Sequence, residues 1–373
     1  CSPLVIIRPY ALTPGQTIWW KKLYFHGLGE FFYLNALDVN EGSFMQIDVA
    51  SVASLPALPF YQRDSVIVPV GGGKDSAVTL EIIGSRMESI PLIMNPRKAS
   101  LETIFSKGFT QDTYVEIRRT IDPVLLKLNE QGFLNGHTPF SALLAFQSTL
   151  AAALTGCRHI ALSNESSASE VTVKGTAINH QYSKSLEFES DFRDYLGKYI
   201  SPDINYFSFL RPLNELQIAS LFAQFPRYHG IFRSCNVGSK TDIWCGKCAK
   251  CLFTYIILSP FLPEDDLVRI FGSNLLKAPS GEELKPLFDQ LTGLADEKPF
   301  DCVGTVDEVN LALCEIIRQA DPLSLPCLLA YYSNTNQYRR YHDMDFRDGL
   351  HTMGRDHHLT PEFLNILQEV WHD

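Results

Sequence analysis

Residues 66–76 join the pattern of a buried strand to a glycine-rich turn. The apolar run VIVPV, residues 66–70, is followed without a gap by Gly71, Gly72, Gly73, Lys74, Asp75 and Ser76. Glycines lack a Cβ atom, so consecutive backbone N–H groups can turn toward one point and approach an anion closely. Apolar residues then recur at helical spacing, so a helix N-terminus should add to the same anion site. The segment predicts a strand, a phosphate-binding turn and a helix.

The order of residues in this turn excludes two common glycine motifs. A Walker loop requires Ser or Thr directly after Gly-Lys, where Asp75 stands, and a dinucleotide fingerprint requires a third glycine where Ser76 stands. The turn resembles instead the Gly-Gly-x-Asp-Ser loop of the PP-loop ATP pyrophosphatases, which implies cleavage of ATP between its α and β phosphates. Asp75 fits as a magnesium ligand. A glycine turn without any ligand would leave Lys-Asp-Ser unexplained.

Composition and charge restrict the class of partner. The 373 residues are 45% hydrophobic, enough for a large core in one or two domains. No segment is apolar enough to span a bilayer, and residues 1–9 lack the basic region of a secretory signal. A net charge of −10 without a Lys/Arg cluster argues against nucleic acid. We expect a small-molecule substrate and neither a membrane nor a nucleic-acid partner.

Four of the nine cysteines, Cys235, Cys245, Cys248 and Cys251, are close together in the sequence. An odd total with such a cluster is untypical of a secreted disulfide framework and indicates a reducing, cytoplasmic protein. Four soft thiolates suit a closed, structural zinc site. An iron–sulfur cluster and a set of free reactive thiols are the alternatives.

The chain divides into three predicted regions. Residues 1–62 contain strand-like pieces at 22–26 and 30–34 and predict a small β-rich N-terminal domain. Residues 63–258 predict an α/β domain with a parallel sheet and the four-cysteine site, and residues 259–373 a mainly helical C-terminal region. In the middle region we expect strands at 66–70, 90–94 and 159–162 and helices at 76–87, 121–131 and 141–154.

Polar side chains follow several of these strands. Ligands of open parallel sheets bind at the carboxyl ends of the strands, so Asn95, Arg97, Asn164 and Glu165 should share one rim with the glycine turn. Glu165 suits a second magnesium ligand, a general base or a helix cap.

A long polar loop follows residue 164 and reads as an active-site loop or a disordered insertion. Its consecutive residues His180, Gln181, Tyr182, Ser183 and Lys184 suit substrate capture or proton transfer, or an exposed loop.

Arg211 is a single cation between apolar residues. It suits a clamp for phosphate or carboxylate, or a buried structural ion pair.

These motifs, in this order, resemble the bacterial UDP-N-acetyl-α-D-muramoyl-L-alanyl-L-glutamate epimerases. The resemblance covers nearly all of the chain after residue 62 and rests on residues 70–76 (VGGGKDS), 95–97 (NPR), 163–165 (SNE), 179–185 (NHQYSKS), 210–213 (LRPL), 234–236 (SCN), 245–251 (CGKCAKC) and 301–304 (DCVG). The 7-cyano-7-deazaguanine synthases are similar around the cysteines, which hold zinc in that family, but do not share the NHQYSK segment.

The resemblance implies a PP-loop (adenine nucleotide α-hydrolase-like) fold. It also implies an enzyme that uses ATP and Mg²⁺ to invert the terminal L-glutamate of UDP-MurNAc-L-Ala-L-Glu during peptidoglycan precursor synthesis, releasing AMP and pyrophosphate. Adenylation has a clear purpose, because an ionised carboxylate resists loss of the neighbouring α-proton, whereas a mixed anhydride withdraws electrons and permits it.

The expected roles follow from these motifs. The glycine amides, Lys74 and Ser76 hold the β and γ phosphates, Asp75 holds Mg²⁺, and Asn95, Arg97 and Asn164 approach the nucleotide or substrate. The candidates for proton transfer are His180, Lys184, Glu165 and Tyr182, with His180 first because its ordinary pKa is near neutral. Gln181, Ser183 and Arg211 are expected to bind substrate. A base-modifying PP-loop enzyme and a non-catalytic ATP-binding zinc protein are the alternative functions.

Overall fold

The computed structural model describes residues 3–60, 62–169, 178–239 and 241–372. The strands are β1 (Leu4–Ile7), β2 (Gln46–Val49), β3 (Arg63–Pro69), β4 (Ser89–Met94), β5 (Val115–Ile117), β6 (Cys157–Leu162) and β7 (Asn205–Ser208). The helices are α1 (Pro14–Gly27), α2 (Gly29–Leu34), α3 (Lys74–Gly84), α4 (Lys98–Lys107), α5 (Pro123–Glu130), α6 (Phe140–Thr155), α7 (Leu186–Tyr199), α8 (Glu215–Ala223), α9 (Ala249–Leu258), α10 (Glu264–Phe271), α11 (Ser280–Thr292), α12 (Val306–Gln319), α13 (Cys327–Tyr332), α14 (Asn336–Tyr341), α15 (Asp348–His351) and α16 (Pro361–His372).

A five-stranded parallel sheet forms the centre of the molecule, in the order β5-β4-β3-β6-β7. Residues of β3 alternate between two hydrophobic cores: Val66 and Val68 face the core that contains α3, α8 and α9, while Ile67 faces the core that contains α6 and α7. Helices cover both faces, which explains why β3 is a continuous apolar run. The predicted α/β class is confirmed.

The strand order positions a crevice. β3 lies at the centre of the sheet, between β4 and β6. The chain first adds β4 and β5 on one side of β3, and later adds β6 and β7 on the other side. Loops that leave the carboxyl ends of such neighbouring strands diverge and leave room for a ligand. The glycine turn follows β3 and residues 163–165 follow β6, so both lie at this point.

The predicted elements of the middle region are confirmed. The strands expected at 66–70, 90–94 and 159–162 are β3, β4 and β6, and the helices expected at 76–87, 121–131 and 141–154 are α3, α5 and α6. Residues 170–177 of the long polar loop lie outside the described residues.

The prediction of a β-rich N-terminal region was wrong. The supposed strands at 22–26 and 30–34 lie in α1 and α2, and within residues 3–60 only β1 and β2 pair, as a two-stranded parallel sheet. A capping box between Thr13 and Gln16, with Pro14 in the first turn, starts α1. Helical spacing then turns Trp19 and Leu23 toward the core beside α6 and α7.

The described residues after 258 form helices α10 to α16, which are joined by loops. Its apolar residues join the core on the α3 side of the sheet, where Phe288, Leu313 and Phe363 are fully buried. None of the described helices is both long and apolar enough to cross a membrane.

Candidate active site

The glycine turn packs too closely against α4 to accept a side chain at its centre. Gly72 has φ +85°, and a Cβ there would lie 2.7 Å from the backbone nitrogen of Ser100. The carbonyl oxygens are already used, since Arg97 Nη2 donates to the Gly71 oxygen at 2.6 Å and the Arg233 amide donates to the Gly72 oxygen at 2.7 Å. Among the described residues, no backbone oxygen accepts from the amides of the three glycines. The turn therefore presents donors at the N-terminus of α3.

Lys74 lies beneath this turn rather than in open solvent. Its side chain is 2% exposed, and its ammonium donates to the carboxylates of Asp75 and Glu215. Burial alone would lower the pKa of Lys74, but the two carboxylate charges outweigh it and raise that pKa. Burial raises the pKa of Glu215 to about 7. For Asp75, burial opposes ionisation, but the nearby charges of Lys74 and Lys250 hold its pKa below the ordinary value. Asp75 is thus kept as a carboxylate, the form that binds Mg²⁺.

A cleft of about 410 Å³ opens beside the turn, a volume typical of small-molecule sites. The predicted site residues that line it are Gly71, Gly73, Asp75, Ser76, Arg97, Asn164, Glu165 and Lys184. Residues that were not predicted also line it: Phe140, Ser141, Arg233, Ser234, Asn236, Lys250 and Cys302. The structure therefore brings together the carboxyl-end loops of β3, β4 and β6, as the parallel-sheet pattern predicted.

Asn95 has another position. Its backbone has φ +52°, and its side-chain oxygen accepts from the Arg119 amide at 2.7 Å. It joins the loops after β4 and β5 and is not among the described residues that line the cleft.

A cluster of titratable side chains borders the cleft. The Nδ1 atom of His180 bonds the carboxylate of Glu30, and the His180 ring lies 4.6 Å from that of His137, centroid to centroid. Cys302 is hydrogen-bonded to His180, and Lys184 Nζ lies 3.2 Å from its sulfur. Burial alone would lower the pKa of His180, but the bonds to Cys302 and Glu30 raise it to about 9. The cluster is therefore a set of coupled proton donors and acceptors.

The same cluster favours a thiolate at Cys302. Burial opposes ionisation of the thiol, but the ammonium of Lys184, the bond from His180 and the charge of Lys250 lower the pKa of Cys302 to about 6. Lys250 also donates to the backbone oxygen of Cys302.

Arg211 forms the buried ion pair that the sequence left as one of two alternatives. Its side chain is 2% exposed and pairs with Glu189 at 3.1 Å. Its guanidinium also donates to the backbone oxygens of Glu165, at 2.6 Å, and Lys184, at 2.5 Å. Arg211 therefore positions two residues of the cleft wall from behind.

Three further residues of the predicted polar set do not line the cleft. Tyr182 is 5% exposed and stacks on His26 with ring centroids 5.0 Å apart, and burial followed by the charges of acidic neighbours raises its pKa. Ser183 is 4% exposed, and the amide nitrogen of Gln181 donates to Asn179 at 2.6 Å. These side chains fill the wall between α1 and α7.

The four clustered cysteines converge on one point. The sulfur of Cys235 lies 3.7 Å from that of Cys248, and Cys251 lies 3.7 Å from Cys245 and 3.5 Å from Cys248. All four ligand atoms lie within 4.8 Å of one another. Zn–S bonds of about 2.3 Å in a tetrahedron place sulfurs roughly 3.8 Å apart, so the residues fit a four-thiolate zinc site.

This cysteine site supports two pieces of the cleft wall. Cys235 directly follows Arg233 and Ser234, which line the cleft, and Cys248 precedes α9, which carries Lys250. A metal ion bound by these cysteines would fix the position of the Arg233–Ser234 segment relative to α9.

Several residues of the site escaped the sequence reasoning. Glu215 lies two residues after the LRPL segment, Lys250 lies within the CGKCAKC segment and Cys302 lies within the DCVG segment, but none of the three was expected to line the cleft or support it. Glu30 and His137 belong to no motif. The packing of α2 and of the segment before α6 against the polar loop brings them to His180.

Comparisons with known proteins agree with this architecture. The chain matches the MurL N-terminal domain over residues 1–209 and the MurL C-terminal domain over residues 231–344. Proteins named UDP-N-acetyl-α-D-muramoyl-L-alanyl-L-glutamate epimerase are similar along most of their length. The one from Xanthomonas oryzae pv. oryzae is 36% identical over 86% of this chain and 71% of its own. The one from Micromonospora sp. is 32% identical over 99% and 82%, and the one from Salinispora tropica is 34% identical over 88% and 72%. The chain therefore belongs to the UDP-N-acetyl-α-D-muramoyl-L-alanyl-L-glutamate epimerase family.

Proposed function

We propose that this chain is an ATP-dependent epimerase that converts the terminal L-glutamate of UDP-MurNAc-L-Ala-L-Glu to D-glutamate in peptidoglycan precursor synthesis. The relatives carry the name of this activity. The observation that carries the proposal is that one cleft is lined both by the glycine turn with Asp75, which we expect to bind phosphate and Mg²⁺, and by Lys184 and Glu165, which are candidates for proton transfer. A cytoplasmic location suits a protein with clustered reduced thiols.

The first step is transfer of AMP from ATP to the glutamate carboxylate. The N–H groups of the glycine turn and the N-terminus of α3 suit the β and γ phosphates, with Ser76 beside them. Asp75 would hold Mg²⁺, which supplies positive charge to the phosphates. Arg97 lies close enough to bind phosphate or carboxylate. Lys74 supports this site from below by orienting Asp75.

The second step is inversion at the α-carbon. In the mixed anhydride the acyl group carries no charge, because the remaining negative charge lies on the phosphate, so the α-proton becomes acidic enough for a side-chain base. Buried cations favour the enolate that forms, and both Lys184 and Lys250 lie at the cleft. Hydrolysis of the anhydride then releases AMP.

The four-cysteine site is proposed as structural zinc. Its sulfurs are spaced for one tetrahedral ion. Four protein ligands leave no open position for substrate, so the ion would stabilise the Arg233–Asn236 segment and α9 without taking part in the chemistry.

The direct test incubates the full chain with ATP, Mg²⁺ and UDP-MurNAc-L-Ala-L-Glu in D₂O. We expect AMP and pyrophosphate in equal amounts, D-glutamate after hydrolysis, and deuterium at its α-carbon. Inverted product without deuterium would exclude the proton-transfer route. AMP formation with a deazapurine acid but not with the muramoyl dipeptide would instead support the base-modifying alternative.

A further inference from the structure

Cys302, a residue of the C-terminal region, lines the cleft beside the glycine turn. It lies in the segment between α11 and α12, is not in a disulfide, and shares the cleft wall with the glycine turn and Glu165. The thiol is partly buried, and Lys250 holds its backbone by donating to the Cys302 oxygen. A thiol held in this way beside the anion-binding turn has no packing purpose, because its sulfur faces polar groups.

Charged groups from several elements face this sulfur. Lys184 comes from the turn before α7, with its Nζ atom 3.2 Å from the sulfur, and His180 from the same segment is hydrogen-bonded to it. Lys250 comes from α9. The acidic groups lie behind these cations: Glu30 is bonded to His180, and Glu165 and Asp75 lie near Lys184. The nearest charges are therefore cationic, and they stabilise a thiolate.

We propose that Cys302 is a catalytic residue whose thiolate removes the α-proton of the adenylated glutamate. This inference rests on the proposed function and names the base that it requires. Glu30 and His180 resemble the positioning partners of an activated thiol: a carboxylate orients an imidazole, which in turn bonds the sulfur.

The proton and electron changes balance within the cluster. The sulfur lone pair takes the α-proton, and the C–H electron pair moves onto the carbonyl oxygen as an enolate. The Lys184 ammonium donates a proton to the opposite face of the α-carbon, which restores the carbonyl. Once the product has left and the two groups are in contact again, the Cys302 thiol returns its proton to the lysine amine, so the thiolate–ammonium pair is regenerated. Substrate enters between the two groups and separates their contact.

The test compares Cys302→Ser with the wild type in the full chain. A hydroxyl is nearly isosteric but far less acidic than a thiol, so epimerisation and deuterium incorporation should fall about 10²- to 10⁴-fold. Exchange of labelled pyrophosphate into ATP, which reports adenylation alone, should stay within about threefold of wild type, since the adenylation groups are intact. Cys327→Ser is the matched control, because Cys327 is another partly buried thiol, which bonds the Leu276 oxygen outside the cleft.

The outcomes separate this inference from the function on which it rests. A wild type without substrate-dependent pyrophosphate exchange would overturn the proposed function itself. Near-normal epimerisation by Cys302→Ser would overturn only the role of the thiol, as would equal loss of exchange and epimerisation. A glutamyl group recovered on Cys302 after acid quenching would show a nucleophile rather than a base and would also overturn it.

Alkylation of the wild type tests the thiolate even where the serine variant fails to fold. Thiolates react with iodoacetamide and thiols do not, so peptide-resolved mass spectrometry should show Cys302 labelling rise as pH passes about 6. Bound substrate should slow this labelling. Labelling of Cys302 that is no faster than that of Cys327 at neutral pH would contradict the proposal.

Discussion

The glycine turn and the His180–Cys302 cluster lie at one cleft but are built in opposite ways. The turn comes from one stretch of eleven residues whose backbone creates the site, and its residues are adjacent in sequence. The cluster takes one side chain each from α2, from the segment before α6 and from the segment before α12, and two from the segment before α7. Local sequence is enough to build the glycine turn, because the amide donors that it presents belong to consecutive residues. A set of coupled acids and bases requires the complete fold.

The largest effect is expected at the turn, where Asp75→Asn should stop the reaction and keep the fold. The amide removes the charge that would hold Mg²⁺, so AMP formation should fall about 10³-fold or more. Glu215 remains as a partner of Lys74, so circular dichroism and the melting temperature should change little. Glu102→Gln on α4 is the surface control. Turnover that survives in Asp75→Asn would refute the magnesium role.

Cys248→Ser tests whether the four-cysteine site, which adjoins the cleft wall, holds a structural ion. With one of four thiolates lost, bound zinc should disappear, and the free energy of unfolding should fall by about 4 kcal/mol or more. Metal analysis and denaturant unfolding measure the two effects, and Cys327→Ser is again the control. A variant that keeps its melting temperature would show that the four cysteines do not hold a structural ion.

Gly72→Ala and Gly71→Ala form a matched pair within the turn. A Cβ at residue 72 meets the backbone of Ala99 and Ser100 at a positive φ, whereas one at residue 71 meets nothing within 4 Å. Gly72→Ala should therefore cost about 2 kcal/mol of stability, and Gly71→Ala should cost almost nothing. Thermal unfolding compares the two. Equal melting temperatures would show that the turn can shift away from α4.

The smallest effect concerns the cluster, through Glu30→Gln. Loss of the carboxylate should lower the pKa of His180 from about 9 toward its ordinary value, which NMR titration measures. Because the pKa of His180 is raised in the folded state, protonated His180 stabilises the fold at pH values below its unfolded pKa. This stabilisation is lost as the pH rises through about 9. Glu30→Gln should therefore cost about 1 kcal/mol near pH 6 and little above pH 9. Glu130→Gln is the exposed control, and a pH-independent cost would contradict the ion pair.

Prediction from sequence succeeded where the signal is local and periodic. The strands β3, β4 and β6 and the helix after the glycine turn follow from runs of apolar residues and their spacing. It failed in residues 22–34, where short aromatic runs resemble strands. The capping box at Thr13 was the overlooked signal, since it starts a helix whose aromatic face packs on α7.

The amino-acid order by itself determined the parallel α/β core, the glycine turn before α3 and the grouping of four thiols, because each depends on neighbouring residues or simple periodicity. Only the tertiary structure decided that Arg211 is a buried ion pair, that Tyr182 packs in the wall, and that Cys302 meets Lys184 and His180. The physical reason is that a side chain's charge state and partners depend on what the fold places within a few ångströms of it. That proximity joins residues that are far apart in the sequence, such as Lys184 and Cys302, which are 118 positions apart, and it has no signature in the local sequence.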